Sequence, residues 1–376
     1  MPFHLAWRIL VDQKGRTALA TGGIFVAILL IFVELGFFVA VPQGGLLIYD
    51  HMRFDLLITS NKYIFQAQSG NFRRARLEAA MTVPEVARAS PFYLGGAKWQ
   101  DPGGGLKLDI AVIGLDPQAG TFAVPDIERQ SAVLETPDSV IIDSSTRKLF
   151  GPLTAGRVVD IAGRRMTIGG DYVLGTGFLG LGIVLASEAN FFRMFPQRPP
   201  DTVNLGLVTL KPGADPDRTA QALRAVLPAD MQVFTRAELV AQEVSYWTTR
   251  TGTGIIFGSG LVVSFVVGIM VLYQTLATQI TRQLPQFATL KAIGYTGRYL
   301  NGVVLVEAFL IVAVAFPPAL GAALAIYAVV RNATLLPLTL GAPQLGAVLA
   351  ITLVMAAASA FLSLSGLRRA DPAEIF

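Results

Sequence analysis

The chain has 376 residues, of which 53% are hydrophobic and 15% are charged, whereas soluble globular domains carry about 25% charged residues. Because the apolar residues gather in a few long runs, this composition argues against a soluble globular protein and predicts a membrane protein with a polar insert. The net charge of +4 is too small to suggest a nucleic-acid partner, and the absence of cysteine excludes disulfides and thiolate metal sites.

The chain begins with a short charged segment followed by its first apolar run. Residues 1–18 alternate apolar with charged side chains, which predicts an interfacial helix. Residues 19–41 form an apolar run that is long enough to cross about 30 Å of hydrocarbon. A cleaved signal peptide is the alternative, but its apolar core is usually only about 7–15 residues long. We therefore predict a retained first transmembrane span.

Residues 42–250 differ in kind, because they hold most of the prolines and acidic residues and no run long enough to span a bilayer. Their patterning predicts strands at 55–60, 107–116, 139–145, 157–163, 203–210 and 231–235, and helices at 72–80, 217–227 and 236–247. We therefore predict an α+β domain with a core of its own and a βαβ unit around the Lys211-Pro212-Gly213 turn. We expect two subdomains, with a seam in the Gly- and Pro-rich stretch 95–105.

Three further apolar runs predict the remaining transmembrane spans, at 252–276, 302–329 and 345–364. Pro317 and Pro318 lie inside the third span, and each removes a helical hydrogen bond, so we expect a kink or break there. The predicted fold class is a membrane α-helical protein with four transmembrane helices and an α+β extracytoplasmic domain inserted between spans one and two.

Lysine and arginine are distributed asymmetrically among the predicted loops. They occur in the 1–18 segment, the 277–301 loop and the 365–376 tail, whereas the 330–344 loop has only Arg331. The positive-inside rule therefore predicts that both termini and the 277–301 loop are cytoplasmic. The 42–250 domain would then be periplasmic, on the outer side of the inner membrane.

The 277–301 loop contains an amphipathic stretch, TRQLPQFATLKAIGYTGRY at 281–299. Its apolar residues Phe287, Leu290 and Ile293 recur at helical spacing, and Lys291 adds positive charge. A short helix of this kind can insert apolar anchors into the groove of a partner protein, or it can be an ordinary connector on the lipid headgroups. The pattern alone leaves both interpretations open.

Four longer stretches, spread over almost the whole chain, match the motifs of one protein family in the same order. They are YDHMRFDLLITSNKY (49–63), LGLVTLKPGAD (205–215), YQTLATQITRQLPQFATLKAIGYTGRYL (273–300) and ADPAEIF (370–376). Together they resemble the DevC branch of the FtsX-like permeases, which are type VII ABC exporters together with MacB, LolC and LolE. One departure is Glu34, where this branch has an uncharged, Gln-like residue, and this departure leaves the substrate open.

The resemblance implies a homodimeric permease in the inner membrane with several partners. These are a separate ABC ATPase subunit (DevA-like), a periplasmic membrane-fusion adaptor (DevB-like), a TolC-like outer-membrane channel and membrane lipids. ATP and Mg²⁺ would be bound by the ATPase, and no cofactor is expected in this chain. The resemblance favours ATPase docking for 281–299 and for the tail at 371–374. The implied ATPase-coupling residues are Gln286, Phe287, Leu290, Lys291, Ile293, Gly294 and Tyr295.

The remaining motifs do not indicate a nucleotide-binding, metal-binding or catalytic site in this chain. The glycine-rich run 169–182 lacks the Walker A lysine and indicates a turn-rich loop. The two histidines, His4 and His51, are predicted on opposite sides of the membrane, so they form no metal site, and no catalytic triad is apparent. Glu34 and Glu307 fall inside predicted spans, where a carboxylate contacts substrate, takes part in switching or packs in its neutral form.

These observations give a leading hypothesis and an alternative. The leading hypothesis is the permease subunit of an ABC-type exporter, in which ATP hydrolysis by the partner moves the periplasmic domain and exports a lipid-like or amphiphilic substrate. The alternative is an FtsX-like transmembrane regulator that activates a periplasmic cell-wall hydrolase and carries no cargo. A membrane enzyme would need clustered reactive side chains, which the sequence does not offer.

Overall fold

The computed structural model describes residues 14–175, 177, 179–334 and 336–369. The chain divides into two compact units. The membrane unit comprises Met1–Val41 and Thr251–Phe376, and the α/β unit is Pro42–Arg250. Residues 1–13 of the predicted interfacial helix and the 371–374 part of the tail lie outside the described residues.

The described residues form helices at both ends of the chain and a mixture of strands and helices between them. The α-helices are α1 (Lys14–Asp50), α2 (Ala75–Ala80), α3 (Pro125–Arg129), α4 (Ser131–Glu135), α5 (Glu188–Met194), α6 (Pro216–Val226), α7 (Arg236–Ser245), α8 (Gly252–Ala292), α9 (Gly297–Thr334) and α10 (Ala342–Arg369). The strands are β1 (Leu56–Ser60), β2 (Phe72–Arg73), β3 (Val86–Gln100), β4 (Leu108–Leu115), β5 (Ser139–Asp143), β6 (Val158–Ile161), β7 (Arg164–Tyr172), β8 (Ile183–Ser187), β9 (Thr202–Val203), β10 (Leu205–Leu210) and β11 (Met231–Thr235). A π-helical turn, Tyr246–Arg250, joins α7 to the residue before α8.

Four helices, α1, α8, α9 and α10, are long and apolar enough to cross a membrane. Their buried residues recur at helical spacing, so each helix turns one apolar face towards the others. Examples are Ile24, Ile28 and Ile31 on α1, Leu272, Leu276 and Ile280 on α8, and Ala315, Ala319 and Ala323 on α9. The small alanines allow close helix packing. The predicted architecture of four spans with an α/β domain between the first and second is confirmed.

We expected a kink or break at Pro317 and Pro318; helix α9 passes through both prolines as one helix, so it does not break there. Each proline leaves one helical hydrogen bond unmade. Ending the helix within a bilayer would leave several more backbone N–H and C=O groups without hydrogen bonds. Continuing the helix is therefore the less costly arrangement.

One part of the α/β unit is a split βαβ arrangement. Its strands lie in the order β11-β1-β10-β3, and each neighbouring pair is antiparallel. Helix α2 connects β1 to β3, and α6 connects β10 to β11. Each helix thus joins two parallel strands that have a third strand between them, which is the ferredoxin-like pattern. The βαβ unit predicted around the Lys211-Pro212-Gly213 turn is its second half.

The other part is an insertion between β3 and β10 that closes on itself. The first half of β3 pairs with β10, and residues from Tyr93 to Trp99 pair with β4. The order then continues β4-β8-β5-β7-β6, and β6 returns to β3 at Trp99 and Gln100. A closed ring of strands has few free edges.

The seam that we expected at 95–105 is wrong, because β3 runs through residues 95–100 as one strand of 15 residues. Gly95 belongs in this strand for a packing reason. A Cβ on Gly95 would lie 2.7 Å from Cζ of Phe195, so the strand needs a glycine where that ring crosses it. The two parts are therefore joined by a shared strand and not by a linker.

Candidate functional site

The connection between α8 and α9 differs from the separate short helix that we predicted over 281–299. Helix α8 continues from its apolar part to Ala292, and α9 begins at Gly297. The helix ends because Gly294 adopts a φ of +106° and the Tyr295 N–H donates to the Leu290 carbonyl at 3.1 Å. This is the Schellman pattern of helix termination. Only residues 293–296 separate the two helices, so a displacement of this turn acts on both.

Burial divides the predicted ATPase-coupling residues into two groups. Phe287 is 7% exposed and belongs to the core of the membrane unit, and Leu290 packs against that core. Both residues therefore pack on the bundle of their own chain, Phe287 more completely than Leu290, and their ATPase-coupling role stays a prediction. Lys291 lies in α8, but its side chain lies outside the described part of the structure.

The remaining predicted coupling residues are exposed: Ile293, Gly294 and Tyr295 lie in the turn, and Gln286 lies in α8 before it. Gln286 and Gly294 are exposed, Ile293 is 72% exposed and Tyr295 is 44% exposed. We call Gln286, Ile293, Gly294 and Tyr295 the turn patch. Large apolar side chains on a tight polar turn are typical of protein-binding surfaces. These exposed residues are therefore the candidate docking surface.

The two intramembrane carboxylates lie on different helices. The Glu34 side chain packs on Gly260 of α8, since a Cβ there would lie 2.5 Å from the Glu34 Cδ. Glu307 of α9 is fully buried, and among the described residues neither of its carboxylate oxygens has a hydrogen-bond partner. Oε2 of Glu34 also has none. Unpaired carboxylates in hydrocarbon are costly, so both residues stay candidates for a role in switching.

A second candidate site lies in the α/β unit, where the end of α1 meets the start of α7. The guanidinium of Arg236 donates to the backbone carbonyls of Tyr49 (3.0 Å), Met52 and Phe54 (3.3 Å). The same guanidinium lies over the Phe54 ring, 4.2 Å from its centroid. A cation that binds the last carbonyls of a helix satisfies acceptors that the helix leaves unpaired and complements its dipole.

Two turns further along α7, a buried carboxylate extends this contact. Glu243 is fully buried and accepts hydrogen bonds from the Tyr63 hydroxyl and, at 3.2 Å, from the Trp247 indole N–H. Tyr63 in turn bonds to the Tyr49 hydroxyl at 2.9 Å. Burial raises the pKa of Glu243 to about 6, although the hydrogen bonds from Tyr63, Trp247 and the Gln66 backbone oppose the shift.

Together these contacts define what we call the stalk clamp, consisting of Arg236, Glu243, Tyr49, Tyr63 and Trp247. The clamp joins the segment that follows the first span to the segment that precedes the second. Sequence reasoning missed it, although a signal was present. Arg236, Leu239 and Glu243 fall on one face of a predicted helix, and a buried Leu between two charged residues indicates that those charges are partnered.

The other described residues that the sequence analysis singled out make ordinary packing contacts and hydrogen bonds within the fold. Nδ1 of His51 bonds to the Leu47 carbonyl at 2.8 Å, and His4 lies outside the described residues. Trp99 is buried and meets Phe150 edge to face. In the described part of the chain, no group of three or more His, Cys, Asp or Glu side chains could hold a metal ion.

Two family models match the chain. Residues 17–226, which are more than half of the chain, match the MacB-like periplasmic core domain. Residues 258–372 match the FtsX-like permease C-terminal model. Both matches agree with the resemblance found in the sequence at the level of the FtsX-like permeases. A comparison with curated proteins finds no match.

Solved structures similar to this chain cover about half of it. The periplasmic region of MacB from Actinobacillus actinomycetemcomitans is 11% identical, with a TM-score of 0.36, over 50% of this chain and 91% of that one. The extracellular domain of the noncanonic ABC-type transporter YknZ from Gram-positive bacteria is 14% identical, with a TM-score of 0.33, over 48% of this chain and 99% of that one.

Proposed function

Since the chain belongs to the FtsX-like ABC transporter permeases with a MacB-like periplasmic core domain, we propose that it couples a partner's ATP hydrolysis to movement of its α/β unit. Membership of this family implies an ABC ATPase as partner. ATP and Mg²⁺ would be bound by that subunit, and this chain would act as the non-catalytic membrane subunit.

The observation that carries the proposal is the continuity of α8. This single helix runs from Gly252, next to the α/β unit in sequence, to Ala292 at the turn patch. Its 41 residues correspond to a rod about 60 Å long. A rod of this length is long enough to cross a bilayer and to carry a displacement from one side to the other.

The π-helical turn and the α7 residues of the stalk clamp directly precede this rod in sequence. Because Arg236 and Glu243 bind the segment that follows the first span, motion of the second span would move both segments as one body. Coupling of this kind needs stiff elements with two arrangements and does not need a charged pore.

The more detailed steps of the proposal rest on the resemblance to the DevC branch. The chain would form a homodimer, bind a DevA-like ATPase through the turn patch, and meet a DevB-like adaptor and a TolC-like channel in the periplasm. The exported substrate would be lipid-like or amphiphilic, because the four spans are apolar and suggest no aqueous ion path.

The orientation is also part of the proposal, and the positive-inside rule supports it. Because the chain has no cysteine, single cysteines can report the two sides. In intact cells stripped of their outer membrane, a membrane-impermeant maleimide should label Lys211→Cys and leave Ile293→Cys unlabelled until the cells are lysed. Labelling of both residues from the same side would contradict the proposed coupling.

The test of the function is isolation of the tagged chain from native membranes with its bound proteins and lipids. An ABC ATPase together with a membrane-fusion adaptor supports export. An ABC ATPase together with a cell-wall hydrolase supports the regulator alternative. Absence of any ATPase from a complex that retains its lipids would overturn the proposal.

A further inference from the structure

Three segments of the α/β unit meet at the guanidinium of Arg157. Its Nη1 donates to the Phe150 carbonyl at 2.9 Å, and its Nη2 binds the carboxylate of Asp101. The same guanidinium lies over the ring of Trp99, 5.7 Å from its centroid, and Trp99 also meets Phe150 edge to face. Because Arg157 directly precedes β6, this one side chain holds together the loop after β3, the turn at Phe150 and the start of β6.

Each of these three segments exposes one large apolar side chain. Leu106 in the loop is 71% exposed, Leu149 in the turn is 64% exposed, and Val158 at the start of β6 is 42% exposed. On β6 the next side chain, that of Val159, is buried, so Val158 faces away from the core. A single exposed apolar residue is ordinary, whereas several on segments that are held together mark an interaction surface.

The two most exposed of these residues each have a lysine as neighbour. Lys107 follows Leu106, and Lys148 precedes Leu149. Both lysines are exposed, and in the part of the chain that the structure describes neither forms an ion pair. We call Leu106, Lys107, Lys148, Leu149 and Val158 the cationic patch.

The carboxylates beside the cationic patch do not compensate these two lysines. Three of them lie on the adjoining strands and loop, and each has a cation bound to it or opposite it: Asp101 with Arg157, Asp109 with Lys98 at 2.6 Å, and Asp160 with Arg165 across the β6–β7 pairing. The patch therefore combines exposed apolar side chains with an excess of two positive charges. A binding partner with complementary charge would carry carboxylates.

We propose that the cationic patch binds a protein whose surface presents carboxylates around an apolar recess. Leu106 and Leu149 would enter the recess, and Lys107 and Lys148 would pair with the carboxylates at its rim. An apolar centre with charges at the rim is the usual arrangement of a protein interface. Two pairs of an apolar residue and a lysine, on separate segments, fit an extended protein surface better than the single headgroup of a lipid.

The loop that carries Leu106 has room to adapt to such a partner. A Cβ on Gly103, Gly104 or Gly105 would meet nothing within 4 Å, so no packing contact holds these three residues in place. Glycine also restricts the backbone least of all residues. The loop can therefore change its path while Asp101 stays bound to Arg157.

This inference goes beyond the proposed function, because it assigns a protein-binding surface to the α/β unit and makes no use of the ATPase or of a cargo. It holds equally for an exporter and for a regulator without cargo. Absence of an ATPase from the isolated complex would overturn the proposed function and leave this inference standing.

The test places the photocrosslinking amino acid p-benzoylphenylalanine in the full chain in its native membranes, at position 106 or 149. Irradiation should join both positions to the same protein, through a segment of that protein that contains Asp or Glu. The same amino acid in place of Val226, which is 49% exposed at the end of α6, is the control and should not give this product.

Charge reversal tests whether the lysines select this partner. Lys107→Glu with Lys148→Glu should lower the yield of the crosslinked product about tenfold, because repulsion replaces attraction at the rim. Lys211→Glu, at another exposed lysine, should leave the yield unchanged. Replacement of the partner's crosslinked carboxylates by lysine should restore the yield with the Glu pair.

The unfolding temperature of the Glu pair should equal that of the wild type, since both lysines are exposed and unpaired. Crosslinks to lipid only, or to a second copy of this chain only, would overturn the proposal. It would also be overturned by a yield that charge reversal leaves unchanged, or by the lack of any product at positions 106 and 149 in a chain that unfolds at the wild-type temperature.

Discussion

Arg236, the first residue of α7, donates a hydrogen bond to the carbonyl of Tyr49, the next-to-last residue of α1, at 3.0 Å. The contact is one of a series in which α1 and the α7 segment run side by side in opposite directions. Trp247 lies against Gly45, Glu243 reaches Tyr49 through Tyr63, and Arg236 reaches Tyr49 and Met52. The two segments therefore form one stiff pair in the α/β unit.

Removal of the Arg236 guanidinium should weaken this pair. Arg236→Ala leaves backbone carbonyls at the end of α1 without their donor, and charged hydrogen bonds of this type contribute about 1.5–3 kcal/mol each. We expect a lower unfolding temperature in detergent. We also expect ATP hydrolysis by the assembled complex to continue while its transport falls, because the rod can move without the α/β unit.

Arg218→Ala is the matched control, since Arg218 is exposed on α6. Its unfolding temperature and transport should equal those of the wild type. Arg236→Lys should recover only part of the loss, because an ammonium cannot reproduce the planar fork of donors. Unchanged transport in Arg236→Ala would remove the clamp from the mechanism.

Glu243 should make stability depend on pH in a defined direction. Burial raises its pKa from 4.5 to about 6, so the folded chain binds more protons than the unfolded chain between these values. The contribution of Glu243 to stability is therefore complete below pH 4.5 and falls by about 2 kcal/mol as pH rises through 6. Unfolding of the purified chain followed at several pH values measures this change.

Glu243→Gln keeps the shape of the side chain and should flatten that pH dependence. Glu85→Gln, at an exposed position, should leave the wild-type profile in place. If the stability of Glu243→Gln still fell as steeply between pH 4.5 and 6 as that of the wild type, another group would be responsible for the pH dependence.

The turn patch and the buried residues beside it should respond differently to substitution. Ile293→Ser with Tyr295→Ser removes exposed apolar surface, so ATPase copurification should fall while the unfolding temperature stays unchanged. Phe287→Ala opens a cavity in the bundle, and losses of about 3–5 kcal/mol are usual for buried Phe. Its unfolding temperature should therefore drop. Full ATPase recovery with the Ser pair would exclude the turn patch as the docking surface.

Glu34 and Gly260 should be coupled energetically. A glycine-to-alanine change inside a helix normally stabilises by up to about 1 kcal/mol. Gly260→Ala should gain less than this, because its Cβ would lie 2.5 Å from the Glu34 Cδ and the carboxylate would have to move away. Glu34→Ala should relieve that penalty in a double-mutant cycle.

Gly321→Ala serves as the control for this cycle, because its Cβ would meet nothing within 4 Å. Gly321→Ala should leave stability unchanged or raise it, both with Glu34 present and in the Glu34→Ala background. Additive effects of Gly260→Ala and Glu34→Ala would mean that the two positions do not touch in the membrane.

The spans and most strands could be predicted from the sequence, because their patterns are local. Strand β5 and helix α6 are close to their expected places, since turn residues and periodicity define both ends. Strand β8 was missed because Ile183 to Ser187 is short, buried throughout and next to glycines, so alternation gives no signal. The prediction of a seam at 95–105 was wrong because Gly95 is needed for packing against the ring of Phe195. Phe195 is far away in sequence, so no local pattern reveals this contact.

The coupling site could be predicted in part for the same reason. The 281–299 stretch was found by its apolar spacing, but spacing does not tell which apolar residues face their own bundle. Phe287 faces the core, and Ile293, beyond it in sequence, does not. The stalk clamp needs residues from three separate segments, Tyr49, Tyr63 and Glu243, and only the fold brings them together.

Hydrogen exchange of the chain with its ATPase in nanodiscs tests the central claim most directly. Amide exchange is compared between the nucleotide-free state and a state trapped with ATP. Binding of ATP at the partner should change exchange at the turn patch and also in 42–50 and 236–250 of the α/β unit. The Ile293→Ser, Tyr295→Ser chain should lose both changes. Unaltered exchange in 42–50 and 236–250 in a complex that hydrolyses ATP would contradict the account.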